Sequence, residues 1–131
     1  MAKTGRFLRD TNIVIALFAN DAVVQQHLAA AQEVFVPSIV LGELYYGARK
    51  SVRMAENLAR IDAFVASKTV LPCATATAQH YGDIKNQLRA KGRPIPEHDI
   101  WIAAIAMQYQ LTLVARDGHF HEVDGLQVEE W

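Results

Sequence analysis

Cysteine is almost absent from these 131 residues. Cys73 stands alone, so no internal disulfide can form and no thiol pair is spaced to grip a metal. The side chain reads as a small buried hydrophobe, and a reducing cytoplasm is the natural compartment. Long apolar runs are missing too: none approaches the roughly 20 residues needed to cross a bilayer. The run that follows Lys3, Arg6 and Arg9 and ends in ALFANDA imitates a signal peptide only loosely, because Asp10 and Asn12 interrupt its entry and cleavage there would delete a candidate core strand. No block of like charge is long enough for a disordered tail, and no internal repeat or low-complexity segment occurs. Phosphate-loop, dinucleotide-binding and serine-hydrolase signatures are missing as well.

What is present is an ordinary globular mixture, 51% apolar and 21% charged, which is enough to bury a core in one domain over residues 1–131. Short apolar strands are expected at 6–10, 33–36, 69–72, 111–115 and near 126–128. Between them fall helices near 12–19 and 21–32, one opening at Ser38 after Pro37, and others at 53–67, 75–91 and 97–109. Strands alternating with helices imply an α/β domain with a mainly parallel sheet, whose ligand site lies beyond the carboxyl ends of the strands.

Four acids stand out against that frame. Asp10 ends the first strand just where a buried helix begins, and Asp117 follows the strand LTLVA by two residues, so both belong at the same sheet edge. Glu43 is the only acid in SIVLGELYYGA, a helix apolar on most sides, where it lies among Ile39, Tyr46 and Gly47. Asp99 opens DIWIAAIAM, apolar nearly all round and therefore buried. Each acid has an innocent role open to it: an Asx turn for Asp10, a first-turn dipole partner for Asp99, a turn pair with Gly118 for Asp117, a surface position for Glu43. Those roles explain the acids singly. They do not explain why four sit on elements that can converge at one edge. Ionised carboxylates crowded in a half-buried pocket raise one another's pKa, and a hard divalent cation such as Mg²⁺ or Mn²⁺ relieves the repulsion.

FLRDTNIVIALF, VPSIVLGELYYGARK, GRPIPEHDIWIAAIAMQY and LTLVARDGHFHEVDGLQV, in this order across nearly the whole chain, resemble the acidic blocks of PIN domains, in particular the VapC-type ribonuclease toxins of type II toxin–antitoxin pairs. The resemblance implies a three-layer α/β/α fold. It places metal-binding acids at Asp10, Glu43, Asp99 and Asp117 and a site-orienting polar residue at Asn12. It further implies Mg²⁺- or Mn²⁺-dependent endonucleolytic cleavage of RNA to a 3′-hydroxyl and a 5′-phosphate, a cognate antitoxin as partner, and a homodimer. Asp10, Asp99 and Asp117 would coordinate the ion; Glu43 would act through water or position the attacking water. Two residues depart from the family pattern. Arg9 stands where an aliphatic residue is usual, and Ala115 replaces a common Thr or Ser, removing a hydroxyl that would orient Asp117.

The formal charge of −1 conceals a sorting. Discounting four site carboxylates leaves the rest of the chain net positive, with one basic group at Arg49, Lys50 and Arg53 and another at Lys85, Arg89, Lys91 and Arg93. An acidic pocket under a basic exterior suits an RNA backbone, although either group also reads as a solvated helix face. Tyr45, Tyr46 and Trp101 could stack on bases or serve as core. His98, His119 and His121 lack a further soft ligand for zinc and read as surface groups. Strand alternation points Arg9 away from Asp10, toward an acid partner or solvent.

Rival functions fare worse. A phosphoacceptor receiver domain would need paired acids after the first strand. A haloacid-dehalogenase-type phosphatase needs an acid where Asn12 stands. The remaining alternative is a non-catalytic PIN module that binds RNA or a protein.

Overall fold

The computed structural model describes residues 5–131; Lys3 lies outside them. Five strands, β1 (Arg6–Arg9), β2 (Glu33–Pro37), β3 (Thr69–Leu71), β4 (Thr112–Val114) and β5 (Val128–Glu129), form one sheet in the order β3-β2-β1-β4-β5. Every pairing is parallel. Six α-helices fill the connections: α1 (Thr11–Phe18), α2 (Ala22–Ala30), α3 (Ser38–Arg49), α4 (Met54–Ala66), α5 (Thr75–Lys91) and α6 (Glu97–Tyr109). The result is the three-layer α/β/α arrangement. Among the described residues no single helix is long and apolar enough to cross a membrane.

Alternation along β1 sends Leu8 to one face and Phe7 to the other. Leu8 and Leu113 pack with Ile102 and Ile105 of α6 in the larger core. Phe7 and Val114 pack with Ile13, Val24 and Trp131 in the smaller one. The sheet is thus dry on both sides, as a parallel sheet must be. α6 meets the same demand: Ile100 and residues 102–106 are all buried. α3 does not. Its Val40, Leu41, Leu44 and Ala48 are buried, but Tyr46 is 65% exposed, so this helix is amphipathic rather than enclosed.

The strands and helices fall within one or two residues of their sequence-expected bounds, with two corrections of substance. Cys73 is exposed, because it follows the edge strand β3 and leaves the sheet past Pro72. Arg9 finds neither solvent nor an acid. It is 3% exposed, its Nε and Nη1 have no hydrogen-bond partner, and its guanidinium lies 5.3 Å from the ring centre of Phe64. The Phe64 ring of α4 takes the place that an acid or solvent was expected to fill. Burial lowers its pKa to about 10, so it stays charged.

Candidate active site

β1 and β4 are sheet neighbours, but the chain leaves β1 toward β2 and reaches β4 only after four more helices and β3. The crevice beyond their carboxyl ends is therefore a topological switch point. Asp10 is fixed there by its backbone: its amide donates to Val114 O at 3.0 Å and its carbonyl accepts from Ile13 N at 3.1 Å. Its side chain caps nothing in α1 and is 5% exposed with the rest of the residue. The Asx-turn role is unused.

α6 runs back along the sheet, which brings its first turn to the same edge. Pro96 stands at its N-cap and Glu97 and Asp99 fall in the first turn, where the helix dipole favours negative charge. Asp99 is 4% exposed. Glu43 enters from the second turn of α3. Its Oε1 is buried without a hydrogen-bond partner. Asp117 caps the short 3-10 helix Gly118–Glu122 and accepts from His119 N at 2.9 Å. Its own turn therefore orients this carboxylate, and the hydroxyl lost at Ala115 is not needed for that.

Two of the acids are perturbed by burial and by neighbouring charge. The Asp10 carboxyl is pushed up to about 6, first by burial, against the opposing Thr11 backbone amide and reinforced by the charges of Asp99, Glu43 and Asp117. Asp99 is also raised, again by burial first, with His98 and His119 opposing and Asp117 adding. Carboxyls crowded in a low-dielectric pocket are a favourable setting for a cation.

Two residues that sequence reasoning set aside stand against these acids. His98 Nε2 is 3.2 Å from Asp99 Oδ1 and 3.9 Å from Glu43 Oε1. His119 Nδ1 is 3.2 Å from Asp99 Oδ2 and 3.0 Å from Asp117 Oδ1. The signal was adjacency: each histidine lies within two residues of a proposed ligand, one on a helix start and one across an Asx turn. Asp99, Asp117 and His119 form a group that could bind a metal, with one ligand atom from each lying within 4.8 Å of the others. Asn12 is exposed on α1, and no hydrogen bond among those described joins it to the acids.

The basic residues divide. Arg93 shares a cavity with Asp117 and His119, between the GRPIP loop and the 3-10 helix. Arg89 and Lys85 line a neighbouring one with Glu97. Lys85 is engaged by Glu97 at 2.6 Å, Lys91 by Asp124 at 2.8 Å and Arg53 by Glu56 at 3.6 Å. Lys50 lies over the exposed Tyr46 ring at 4.4 Å, and Arg49 is exposed in the last turn of α3. Trp101 stacks on Tyr81 with centroids 4.2 Å apart, and the Tyr45 hydroxyl donates to Asp62.

An acid cluster at the switch point of a five-stranded parallel sheet defines a class, and comparison with known proteins agrees. The PIN domain model matches residues 7–126. Ribonuclease VapC2 of Haemophilus influenzae is 36% identical over 129 residues, covering 96% of this chain and 98% of that protein. The tRNA(fMet)-specific endonuclease VapC of Shigella flexneri is 37% identical, with the same coverage. Among solved structures, DNA-bound VapBC from Salmonella typhimurium superposes with a TM-score of 0.87 at 30% identity, covering 100% of this chain and 99% of that one. The chain belongs to the PIN-domain family, in its VapC group.

Proposed function

We propose that this protein is a metal-dependent endoribonuclease, the toxin of a type II toxin–antitoxin pair, acting in the cytoplasm on RNA. The observation that carries the reading is Asp10: a carboxyl 5% exposed, at a sheet switch point, made a weaker acid by burial and by three other acids. The donor set is oxygen-rich and includes a buried Glu43 oxygen that accepts no hydrogen bond, which fits Mg²⁺ or Mn²⁺. Asp10, Asp99 and Asp117 would hold the ion, with Glu43 reaching it through water or orienting the water that attacks phosphorus. A bound divalent ion supplies charge neutralisation at the phosphoryl oxygens and a more acidic water.

The chain's own residues do the rest. Glu43 accepts a hydrogen bond from the attacking water, while Arg93, in the cavity beside Asp117, meets a neighbouring phosphate. Arg49, Lys50, Arg53 and Arg89 offer weaker backbone contacts, and Asn12 a polar contact at the rim. Water adds to phosphorus and the bond to the 3′ oxygen breaks, leaving a 3′-hydroxyl and a 5′-phosphate.

A cognate antitoxin is the expected protein partner, since the Salmonella typhimurium relative is a VapBC complex. An apolar groove lined by Ile15, Phe18, Leu44 and Ile61, with Glu43 at its rim, gives such a partner a surface next to the acids. A homodimer is the expected assembly. The test is cleavage of RNA by purified protein in Mg²⁺ or Mn²⁺, with and without chelator, beside the Asp10→Asn variant. Equal cleavage in excess EDTA would overturn the metal reading, and no cleavage by wild type beyond that of Asp10→Asn would leave the non-catalytic RNA- or protein-binding reading.

A further inference from the structure

We propose that His119 is a direct ligand of the ion through Nδ1, making the centre a mixed oxygen and nitrogen site that prefers Mn²⁺ to Mg²⁺. The inference rests on the metal-site reading above and deepens it. Its basis is spacing. Adjacent ligands of an octahedral ion, each about 2.1 Å from the metal, lie about 3.0 Å apart. His119 Nδ1 is 3.0 Å from Asp117 Oδ1 and 3.2 Å from Asp99 Oδ2, the latter a hydrogen-bond contact in the metal-free protein, so with its ring proton displaced Nδ1 stands at adjacent-ligand distance from an oxygen of each acid. The backbone that carries the imidazole is also held in place. Asp117 Oδ1 accepts from the His119 backbone amide at 2.9 Å, and the next residue, Phe120, is fully buried, which pins the turn to the core.

His98 serves as the internal contrast. Its Nε2 approaches Asp99 through the other carboxylate oxygen, at 3.2 Å, and lies 3.9 Å from Glu43 Oε1. It is not in the group whose ligand atoms all lie close together. His98 therefore positions Asp99 from outside, whereas His119 faces the same space as both acids. An imidazole nitrogen is a softer donor than a carboxylate oxygen, and it favours Mn²⁺ over Mg²⁺ and disfavours Ca²⁺.

The experiment is pulsed electron paramagnetic resonance of Mn²⁺ added to the full-length protein, natural abundance against ¹⁵N-histidine-labelled, with calorimetric titration of Mn²⁺ and Mg²⁺ in parallel. Directly bound nitrogen should appear in the echo modulation, change with ¹⁵N labelling, persist in His98→Gln and vanish in His119→Gln. The ratio of Mn²⁺ to Mg²⁺ affinity should fall by on the order of 10-fold in His119→Gln. Because the labelled wild type alone reports nitrogen, a poorly folded variant cannot hide the answer. Mn²⁺ that binds in an Asp99-dependent way without nitrogen modulation overturns the inference and leaves the metal-site reading standing. Modulation lost in His98→Gln instead of His119→Gln overturns it by moving the ligand. Wild type that binds no Mn²⁺ overturns the inference and the reading beneath it together.

Discussion

His98 Nε2 lies 3.2 Å from Oδ1 of Asp99, and the other oxygen of that carboxylate faces His119. A buried acid gripped at both oxygens has little rotational freedom, so Asp99 presents a fixed donor at the mouth of α6. Removing its charge should therefore remove function without removing structure. Asp99→Asn is expected to lower RNA cleavage by at least ~10²-fold, the scale of a lost preorganised charge, with an unchanged circular dichroism spectrum. Full turnover by a folded Asp99→Asn protein would exclude the residue from the chemistry.

Asp10 carries a pH prediction for the metal-free protein. Its carboxyl rises from 3.8 to about 6 on folding, so the fold holds that proton more tightly than the unfolded chain does. The contribution favours the folded state below about pH 4 and is lost as pH climbs through 6. At neutral pH the charged form then costs on the order of 3 kcal/mol. Asp10→Asn lacks this titration and should melt higher than wild type by several degrees at pH 7.5 in EDTA, the gap closing near pH 4. The difference between the two proteins is the quantity to measure, because Asp21, Asp124 and Glu97 are lowered by their partners and shift both proteins the opposite way. A gap that is flat across this pH range would mean Asp10 is not perturbed.

Divalent ion should reverse that cost. An ion that binds only the folded cluster adds about 2.7 kcal/mol at one hundred times its dissociation constant. Saturating Mn²⁺ should raise the melting temperature of wild type, and Asp99→Asn should lose most of the gain. Identical melts with and without millimolar Mn²⁺ would leave the cluster with no ion to hold.

The layout of this site was legible because its determinants are local. Asp10 and Asp117 follow strands, and strand ends in a parallel sheet share an edge. Asp99 and Glu43 interrupt apolar helices that had to pack on that sheet. What could not be read was anything set by side-chain direction across elements. His98 and His119 approach Asp99 from a helix start and a turn far apart in sequence, and no period in the chain encodes that meeting. Arg9 failed for a related reason. Alternation says nothing about partners, and only the tertiary position of Phe64 decides that Arg9 meets aromatic carbon in place of an acid. β5 was likewise expected a residue or two early, since a strand of two residues has too little pattern to fix its register.

Arg9 also yields a stability prediction. A guanidinium that keeps its charge while Nε and Nη1 go without partners has lost hydration without replacement, and the contact with Phe64 returns only part of it. Arg9→Met keeps the length of the stem and removes the charge. It should stabilise the protein by about 1–3 kcal/mol at neutral pH, in the range found when buried ionic groups give way to apolar ones of similar volume. Chemical denaturation reports this directly. A variant less stable than wild type would show that Arg9 makes interactions beyond the ring of Phe64.

The way RNA is held can be separated from the way it is cut. In a catalytically dead Asp10→Asn background, each lost phosphate contact should lower the slope of log affinity against log salt by ~0.7 for single-stranded RNA. Arg93 is expected to show the full effect on substitution by Ala, because it shares the cavity of Asp117 and His119 and no acid holds it in a described ion pair. Lys91 should show little, since its ammonium is already committed to Asp124 Oδ1 at 2.8 Å and Glu122 O at 2.7 Å. Lys85, tied to Glu97, should resemble Lys91. Arg93→Ala should weaken short oligonucleotides of different sequence by similar factors, because phosphate contacts position the strand without reading it. Fluorescence anisotropy at four or five salt concentrations decides the matter. An unchanged slope for Arg93→Ala, together with a reduced slope for Lys91→Ala, would move the path of the strand from the cavity beside Asp117 to the Asp124 side of the carboxyl end of α5.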